Sequence, residues 1–584
     1  MNTLDDLLRA ALAEMRRQRY AQAADLLAPF AHLPSNELLR YYGESLRRSG
    51  RPQEAIEALM QALALKIDDV DAYLQLAFSF ESLRMKAEAA ECFRTVAALQ
   101  PDSVMAQSYQ AHGDQQCARW QDFDANLRAL IGAIRGKADD AADEFGVPFT
   151  LVGLPHDPAD LLKVARMSAR FLSRGLQPLP AVRARAKRPG ERLRIGYLSG
   201  DFHSHATAAL LVETLEARDR EGFEVLLFSH GPDDGSALQQ RIRAACDRFI
   251  DVSELDPAAI AARMRAEQVD IAVDLKGHTA GTRFAALACR PAPVQVAWLG
   301  FPGTCGADFI DYIVGDRIVT PLSDAPFYSE RIAQLPRCYQ PGDSTRTISS
   351  PSPSPSPSPL PLPLPLPLPL PLPLPLPLPL LAALRAELGL PEDAFVLLGA
   401  NPVYKITPSV FDAWMEILRQ SPRALLWQLS GGEQADAQLR HEAAQRGVDA
   451  ARIVFMPPVP MSEHWRRLAA ADLALDTWPC NGHTTTSDAL AAGVPVLTVK
   501  GEGFAGRVAE SLLDAAGLSD LVCATPEDFV LQACELARAP WPAARPVVRP
   551  WIASAAFARD LESLYRRMWD RAVAGLPPDA LPAV

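Results

Sequence analysis

The chain has 584 residues, 48% of them hydrophobic, with 58 Lys and Arg against 70 Asp and Glu for a net charge of −12. That length divides into roughly three or four domains, and the apolar content can supply each with a core, which excludes a globally disordered chain. The acidic balance excludes a general nucleic-acid binder, which carries surplus Lys and Arg for phosphates.

The first residues, MNTLDDLLRAALAEMRRQRY, are acidic and then amphipathic, without the basic start, apolar stretch and cleavage site of a secretory signal. Nine scattered cysteines form no CxxC pair, so neither a zinc cluster nor a disulfide framework is expected. The expected location is the cytoplasm, with no membrane partner and no nucleic-acid partner.

A period of 34 opens the chain. Tyr73, Leu76, Ala77, Phe80, Ala89, Phe93 and Pro101 fall at tetratricopeptide offsets, and Leu39, Tyr42, Gly43, Leu46, Ala55 and Leu59 precede them by one period. Tyr20, Ala23 and Leu27 suggest an earlier unit slightly out of phase. Helix pairs of this kind bury their apolar faces by stacking, and such a solenoid binds peptide or protein. The repeats are assigned to residues 1–118 and a helical connector, with Trp120, Leu127 and Leu130, to 119–189.

From about residue 190 short apolar runs alternate with amphipathic helices. Leu193–Ser199, Phe223–Phe228, Val269–Leu275 and Val294–Leu299 read as buried strands. The rhythm resumes with Phe395–Leu398, Leu425–Leu429, Ile453–Met456, Leu473–Asp476 and Pro495–Val499. The fold class is therefore α/β: an N-terminal α-helical tetratricopeptide solenoid followed by two Rossmann-like domains, at 190–342 and 382–584, the latter with the terminal helices. Residues 343–381 form the linker between them. It contains fifteen of the 51 prolines, at every odd position from Pro351 to Pro379. Proline at alternate positions denies the run Leu360–Leu381 the hydrogen bonds of a membrane span. The tract is expected to loop out and leave the two halves free to meet.

Ligands bind at the carboxyl ends of such strands. In the first half those ends carry Ser199–Thr207, with His203 and His205, then Lys276-Gly277-His278-Thr279, then Gly300-Phe301-Pro302-Gly303-Thr304. His278, Pro302, Gly303 and Thr304 are taken as candidate cleft loops. In the second half Asn401 and Lys405 follow one strand, and His464 lies in Glu463–Arg467. The segment Asp476–Asp488 runs from another strand into a helix through Asn481-Gly482-His483-Thr484-Thr485-Thr486. Threonines at a helix start offer hydroxyls and free N–H groups to an anion, and Lys405 adds a point charge for phosphate. Capping would explain one or two of these residues, not four behind a histidine. No Walker loop or GxGxxG occurs at these strand ends, which disfavours an ATPase or a dehydrogenase. Asp-x-Asp occurs only as Asp69-Val70-Asp71 and Asp122-Phe123-Asp124, in the helical third. An anion site without metal, built from lysine, histidine and helix amides, is the reading these residues favour.

The repeats, joined to RLRIGYLSGDFHSHAT, DLKGHT, RPAPVQVAWLGFPGTCGADFIDY, YKI, LDTWPCNGHTTTSDAL and GEGFAGRVAESLL, resemble the O-linked N-acetylglucosamine transferase/SPINDLY family. The resemblance spans most of the chain outside the proline tract. It implies a type-B glycosyltransferase fold and a metal-independent, inverting transfer from a nucleotide sugar to Ser or Thr of proteins bound through the repeats. DLKGHT looks nearer to the SPINDLY branch, which includes users of GDP-fucose, so the donor is of UDP-GlcNAc or GDP-fucose type and no cofactor is implied. Carried over by motif, His205 sits at the donor sugar and acceptor as a candidate base, and Lys405 holds the diphosphate and stabilises the leaving group. The donor site is implied to include Asn401, His464 by the nucleotide, His483, Thr484 and Thr485 on ribose and phosphates, and Asp488 at the ribose or supporting its loop. One departure is Pro402, where the family has a polar residue ahead of YKI. The alternatives are a catalytically weak repeat scaffold and a glycosyltransferase with a non-protein acceptor.

Overall fold

The computed structural model describes residues 4–17, 19–345, 378–539 and 554–584. The proline tract therefore lies outside the described residues, except that Leu378–Leu380 open the helix Leu378–Glu387. Among the described residues no helix is long and apolar enough to cross a membrane.

Residues 1–139, with 431–439, form one compact unit. Its helices run Leu4–Arg16, Tyr20–Leu27, Asn36–Arg48, Pro52–Leu65, Val70–Ser82, Lys86–Leu99, Val104–Gln116 and Phe123–Gly136. Ser35, Asp69 and Ser103 stand 34 residues apart, and each accepts the backbone N–H three residues on, at Leu38, Ala72 and Ala106. The repeat thus extends in phase to a third leading helix, Val104–Gln116, beyond the two units marked by large and small residues. Packing explains the small residues: a Cβ on Gly43 would lie 2.5 Å from Leu59 Cγ. Leu39, Leu46, Ala55, Leu59, Ala77, Ala89 and Phe93 share the buried core.

Residues 140–430 and 440–584 form the second unit, which contains both sheets. The first sheet comprises β1 (Leu193–Ser199), β2 (Phe223–Ser229), β3 (Arg248–Asp251), β4 (Ile271–Asp274), β5 (Val294–Ala297), β6 (Tyr312–Asp316) and β7 (Arg331–Leu335). The second comprises β8 (Phe395–Gly399), β9 (Ala424–Leu429), β10 (Ile453–Met456), β11 (Leu473–Leu475), β12 (Val496–Val499) and β13 (Val522–Cys523). The orders are β3-β2-β1-β4-β5-β6-β7 and β10-β9-β8-β11-β12-β13, with parallel pairing throughout. Both sheets are doubly wound, as the strand and helix alternation requires, with topological switch points between β1 and β4 and between β8 and β11. Strand ends shorten where a side chain turns back on the backbone. Asp274, for example, accepts the N–H groups of Lys276 and Gly277 and so closes β4.

The terminal helix Ser554–Val573, expected with the second half, instead packs on the first. Tyr565 Oη lies 3.3 Å from Tyr197 Oη of β1, Glu562 accepts the Asp219 N–H at 2.8 Å, and the Phe557 ring stacks on Trp298.

At the amino end of the second sheet Arg385 is buried and makes four hydrogen bonds. It donates to the carbonyls of Ala470, Glu392 and Ala394 and to Asp472 Oδ2 at 2.6 Å, while Asp472 also accepts the Val396 N–H. Removing one partner strands a buried charge, so Arg385→Met is expected to destabilise the fold by about 3–5 kcal/mol, read from the shift in the urea unfolding midpoint.

Candidate active site

At the second switch point, Asn401 follows β8 and Asp476 follows β11. Asp476 is 1% exposed, so its carboxylate must be satisfied internally. Oδ1 accepts the Gly482 N–H at 2.6 Å and Asn401 Nδ2 at 3.0 Å, and Oδ2 accepts the Thr498 hydroxyl at 2.7 Å. Asn401 Oδ1 in turn accepts the Thr485 hydroxyl at 2.7 Å. These bonds pull Asp476–His483 into a tight loop under the helix Thr484–Ala491. Gly482 has no alternative there, because a Cβ would meet the hydroxyls of Thr485 and Thr486 at 2.6 Å.

Lys405 rises from the short turn Val403–Lys405 into this loop. It is buried, and its ammonium donates to the Asn481 carbonyl at 2.6 Å. Burial works against its charge, but neighbouring Cys480, Tyr404 and Asp476 outweigh it and hold its pKa above the ordinary lysine value. Pro402 starts the turn, and its backbone carbonyl accepts the Lys405 N–H at 3.0 Å. His483 Nε2 donates to the Ala505 carbonyl at 3.1 Å, and burial with nearby Lys405 depresses its pKa to about 3, leaving a neutral ring. The N–H groups of Thr484, Thr485 and Thr486 open the helix, where no preceding turn accepts them. A buried cation thus reaches the loop that ends in a helix N-terminus, an arrangement suited to an anion. His464 lies on the adjoining helix Met461–Leu468, with Nδ1 accepting from Arg467 at 3.0 Å and its pKa lowered to about 4 by burial and Arg467. Asp488 occupies the second turn of the helix Thr484–Ala491.

The first switch point repeats the plan with charges. Asp201 follows β1, Lys276 follows β4, and the buried pair meets at 2.8 and 2.9 Å. His205 caps the helix Ala206–Glu216: its Nδ1 accepts the Thr207 N–H at 3.2 Å. Burial lowers its pKa, so the ring is neutral, and with Nδ1 accepting, the proton sits on Nε2.

The candidate cleft loops divide differently from expectation. His278 is spent internally: Nε2 donates to the Cys305 carbonyl at 2.7 Å, Nδ1 lies 3.2 Å from Ser168 Oγ, and Phe284 and Phe301 flank the ring. Thr304 donates to buried Glu330 at 2.7 Å, and Pro302 and Gly303 are buried, Gly303 against Leu161 and Phe301. The polar side chains of His278 and Thr304 are thus hydrogen-bonded within the first half. The residue that reaches the second half is Phe301, which packs with Val152, Cys480 and Ala505. Sequence reasoning named Asn401, Lys405, His483 and Thr485, which the structure brings together. It passed over Asp476 and Asn481, whose mark was a carboxylate ending a buried strand, and the Asp201–Lys276 pair, which needs the strand order to be seen.

Two doubly wound domains, joined where the carboxyl-end loops of one meet those of the other, constitute the type-B glycosyltransferase fold. The chain belongs to glycosyl transferase family 41, whose model matches residues 177–350 and 375–540, on either side of most of the proline tract. It is 32% identical over 480 residues to an Arabidopsis thaliana relative that carries the name UDP-N-acetylglucosamine–peptide N-acetylglucosaminyltransferase SEC, covering 79% of this chain and 46% of that protein. It is 28% identical to the Caenorhabditis elegans UDP-N-acetylglucosamine–peptide N-acetylglucosaminyltransferase, over 79% of this chain and 48% of the relative. The chain therefore spans about half the length of these curated relatives. It is 29% identical to the Petunia hybrida relative named SPINDLY, over 66% of this chain and 40% of that protein. Among solved structures, a lysine-to-methionine variant of the Thermobaculum terrenum O-GlcNAc transferase superposes with a TM-score of 0.71 at 30% identity, covering 92% of this chain and 98% of that one.

Neutral buried histidines make a pH prediction. His278 has its pKa lowered by burial from 6.5 to about 4, so between these values the unfolded chain binds a proton that the folded chain refuses, and stability falls as pH falls. Buried Asp274, raised to about 6, works in the opposite direction, and comparing a variant with its parent removes that contribution. His278→Gln is expected to flatten the fall in urea midpoint stability between about pH 6 and 4.5 by up to one proton, about 1.4 kcal/mol per pH unit.

Proposed function

We propose that the chain is an inverting glycosyltransferase that moves N-acetylglucosamine from UDP-GlcNAc to Ser or Thr of proteins without a metal. The observation that carries this reading is the Lys405 ammonium, buried and charged beside the N-terminus of the helix Thr484–Ala491. Breaking the bond between sugar and phosphate gathers negative charge on the diphosphate, and a preorganised cation with backbone amides stabilises that charge most where water is excluded. The relatives from Arabidopsis and Caenorhabditis and the Thermobaculum structure carry names that specify N-acetylglucosamine, which favours that sugar over fucose.

In this reading Lys405 and the amides of Thr484–Thr486 take the diphosphate, and His464 and Asp488 border the nucleoside. Asn401 and Thr485 act indirectly, since their mutual hydrogen bond spends the groups that would face a donor. His205, with Nδ1 committed to its helix, presents Nε2–H and serves as a hydrogen-bond donor at the sugar rather than as the base. The hydroxyl proton then passes to the donor's own phosphate, the anionic acceptor nearest the reacting centre. The tetratricopeptide helices bind the protein acceptor. The cytoplasm fits nine cysteines that are all free thiols.

The test incubates the purified chain with UDP-GlcNAc and, separately, GDP-fucose, using cell lysate as acceptor. Labelling of protein from UDP-GlcNAc is expected, and Lys405→Ala is expected to reduce it by about 10²–10³-fold. Transfer from GDP-fucose alone would reassign the donor. Absence of turnover with either donor in a folded protein would overturn the reading in favour of a binding scaffold.

A further inference from the structure

The segment GEGFAGRVAESLL, residues 501–513, supplies none of the groups placed on the diphosphate, yet it contacts both halves. Ala505 O accepts two hydrogen bonds from the loop that carries Lys405's partner: Asn481 N–H at 2.9 Å and His483 Nε2–H at 3.1 Å. Asn481 Oδ1 also accepts the Ala509 N–H at 3.3 Å. The segment is folded tightly beneath that loop, since a Cβ on Gly506 would meet the Pro479 carbonyl at 2.5 Å.

On its other side the same segment is fastened to the first half. Arg507 Nη1 donates to Asp324 Oδ2 at 2.6 Å, in the turn Leu322–Phe327 between β6 and β7, while its Nε holds the Gly501 carbonyl at 3.2 Å. Ser511 donates to Asp316 Oδ2 at 2.6 Å, at the end of β6. Phe504 meets the Tyr339 ring edge-on at 5.0 Å, and Ala505 packs against Phe301 and Val152. The carbonyl that orients His483 and Asn481 is thus set by contacts to the opposite half.

We infer that Arg507 is a positioning residue for the donor loop: paired with Asp324, it holds Ala505 so that His483 and Asn481, and through the Asn481 carbonyl Lys405, keep their places. The orientation of the loop then depends on the two halves being correctly apposed. Only the activity arm of the test below rests on the proposed function.

The experiment compares Arg507→Ala, Arg507→Lys and Asp324→Asn in the full chain by hydrogen exchange and by donor turnover. Arg507→Ala and Asp324→Asn are expected to speed exchange in peptides covering 477–487 by at least about threefold, with β1 and β8 peptides unchanged and Arg507→Lys close to the parent. Turnover (kcat/KM for the donor) is expected to fall about tenfold in Arg507→Ala, and the same substitution in a His483→Ala background to cost less than about threefold, because both act through one contact. Unchanged exchange at 477–487, or faster exchange throughout both halves, would overturn the inference, as would a full additional loss in the His483→Ala background. If the parent turns over no donor, the proposed function fails while the exchange result still decides the role of Arg507.

Discussion

A carboxylate with 1% exposure at the end of β11 governs the geometry of the second half. In a dry interior the Asp476 carboxyl needs hydrogen-bond partners at both oxygens, and it obtains them from Asn401, Gly482 and Thr498. Meeting that demand folds the loop back across the switch point, brings Asn401 after β8 to Thr485 of the helix, and leaves the Asn481 carbonyl aimed at Lys405. Neighbouring Lys405 and Asp476 support each other's charge, although burial still raises the Asp476 pKa. The arrangement of Lys405 beside this loop is therefore a by-product of satisfying one buried acid.

The two halves solve the same topological problem with different chemistry. In each sheet the residues after the first and fourth strands meet at the switch point, as Asp201–Lys276 in one and Asn401–Asp476 in the other. The first is an ion pair with His205 Nδ1 3.7 Å from Asp201 Oδ2, whereas in the second Asp476 is held by Asn401, Gly482 and Thr498 while Lys405 reaches the Asn481 carbonyl. In the proposed function the diphosphate lies in the second half, at Lys405, and the acceptor hydroxyl at the first, near His205. The helix Ser554–Val573 returns from the second half to β1, and the segment 501–513 grips the turn before β7, so the halves are braced from both directions.

Much of this was legible in the sequence, because the physics that placed it is local. Buried parallel strands read as apolar runs, and Ile453–Met456 was found to the residue. Gly43 and Ala77 announced close helix packing. Four strands escaped: Arg248–Asp251 is a partly exposed edge, Arg331–Leu335 is the opposite edge and carries Arg331 and Gln334, Val522–Cys523 has two residues, and Tyr312–Asp316 ends in Gly-Asp, where a Cβ on Gly315 would strike Thr320 Oγ1. In the site, Lys405, His483 and Thr485 were visible as chemistry at strand ends. The inward turn of His278 and Thr304 was not, because their partners Ser168, Cys305 and Glu330 are set by tertiary packing. Nor was the Nδ1 cap that fixes the proton of His205.

The most direct measurement is a crystal structure of the chain with UDP bound. The account places the diphosphate within about 3 Å of Lys405 Nζ and of the N–H groups of Thr484–Thr486, with the Asp476 hydrogen bonds intact. A diphosphate seated on Lys276 of the first half, or bound in the second half without Lys405, would contradict it.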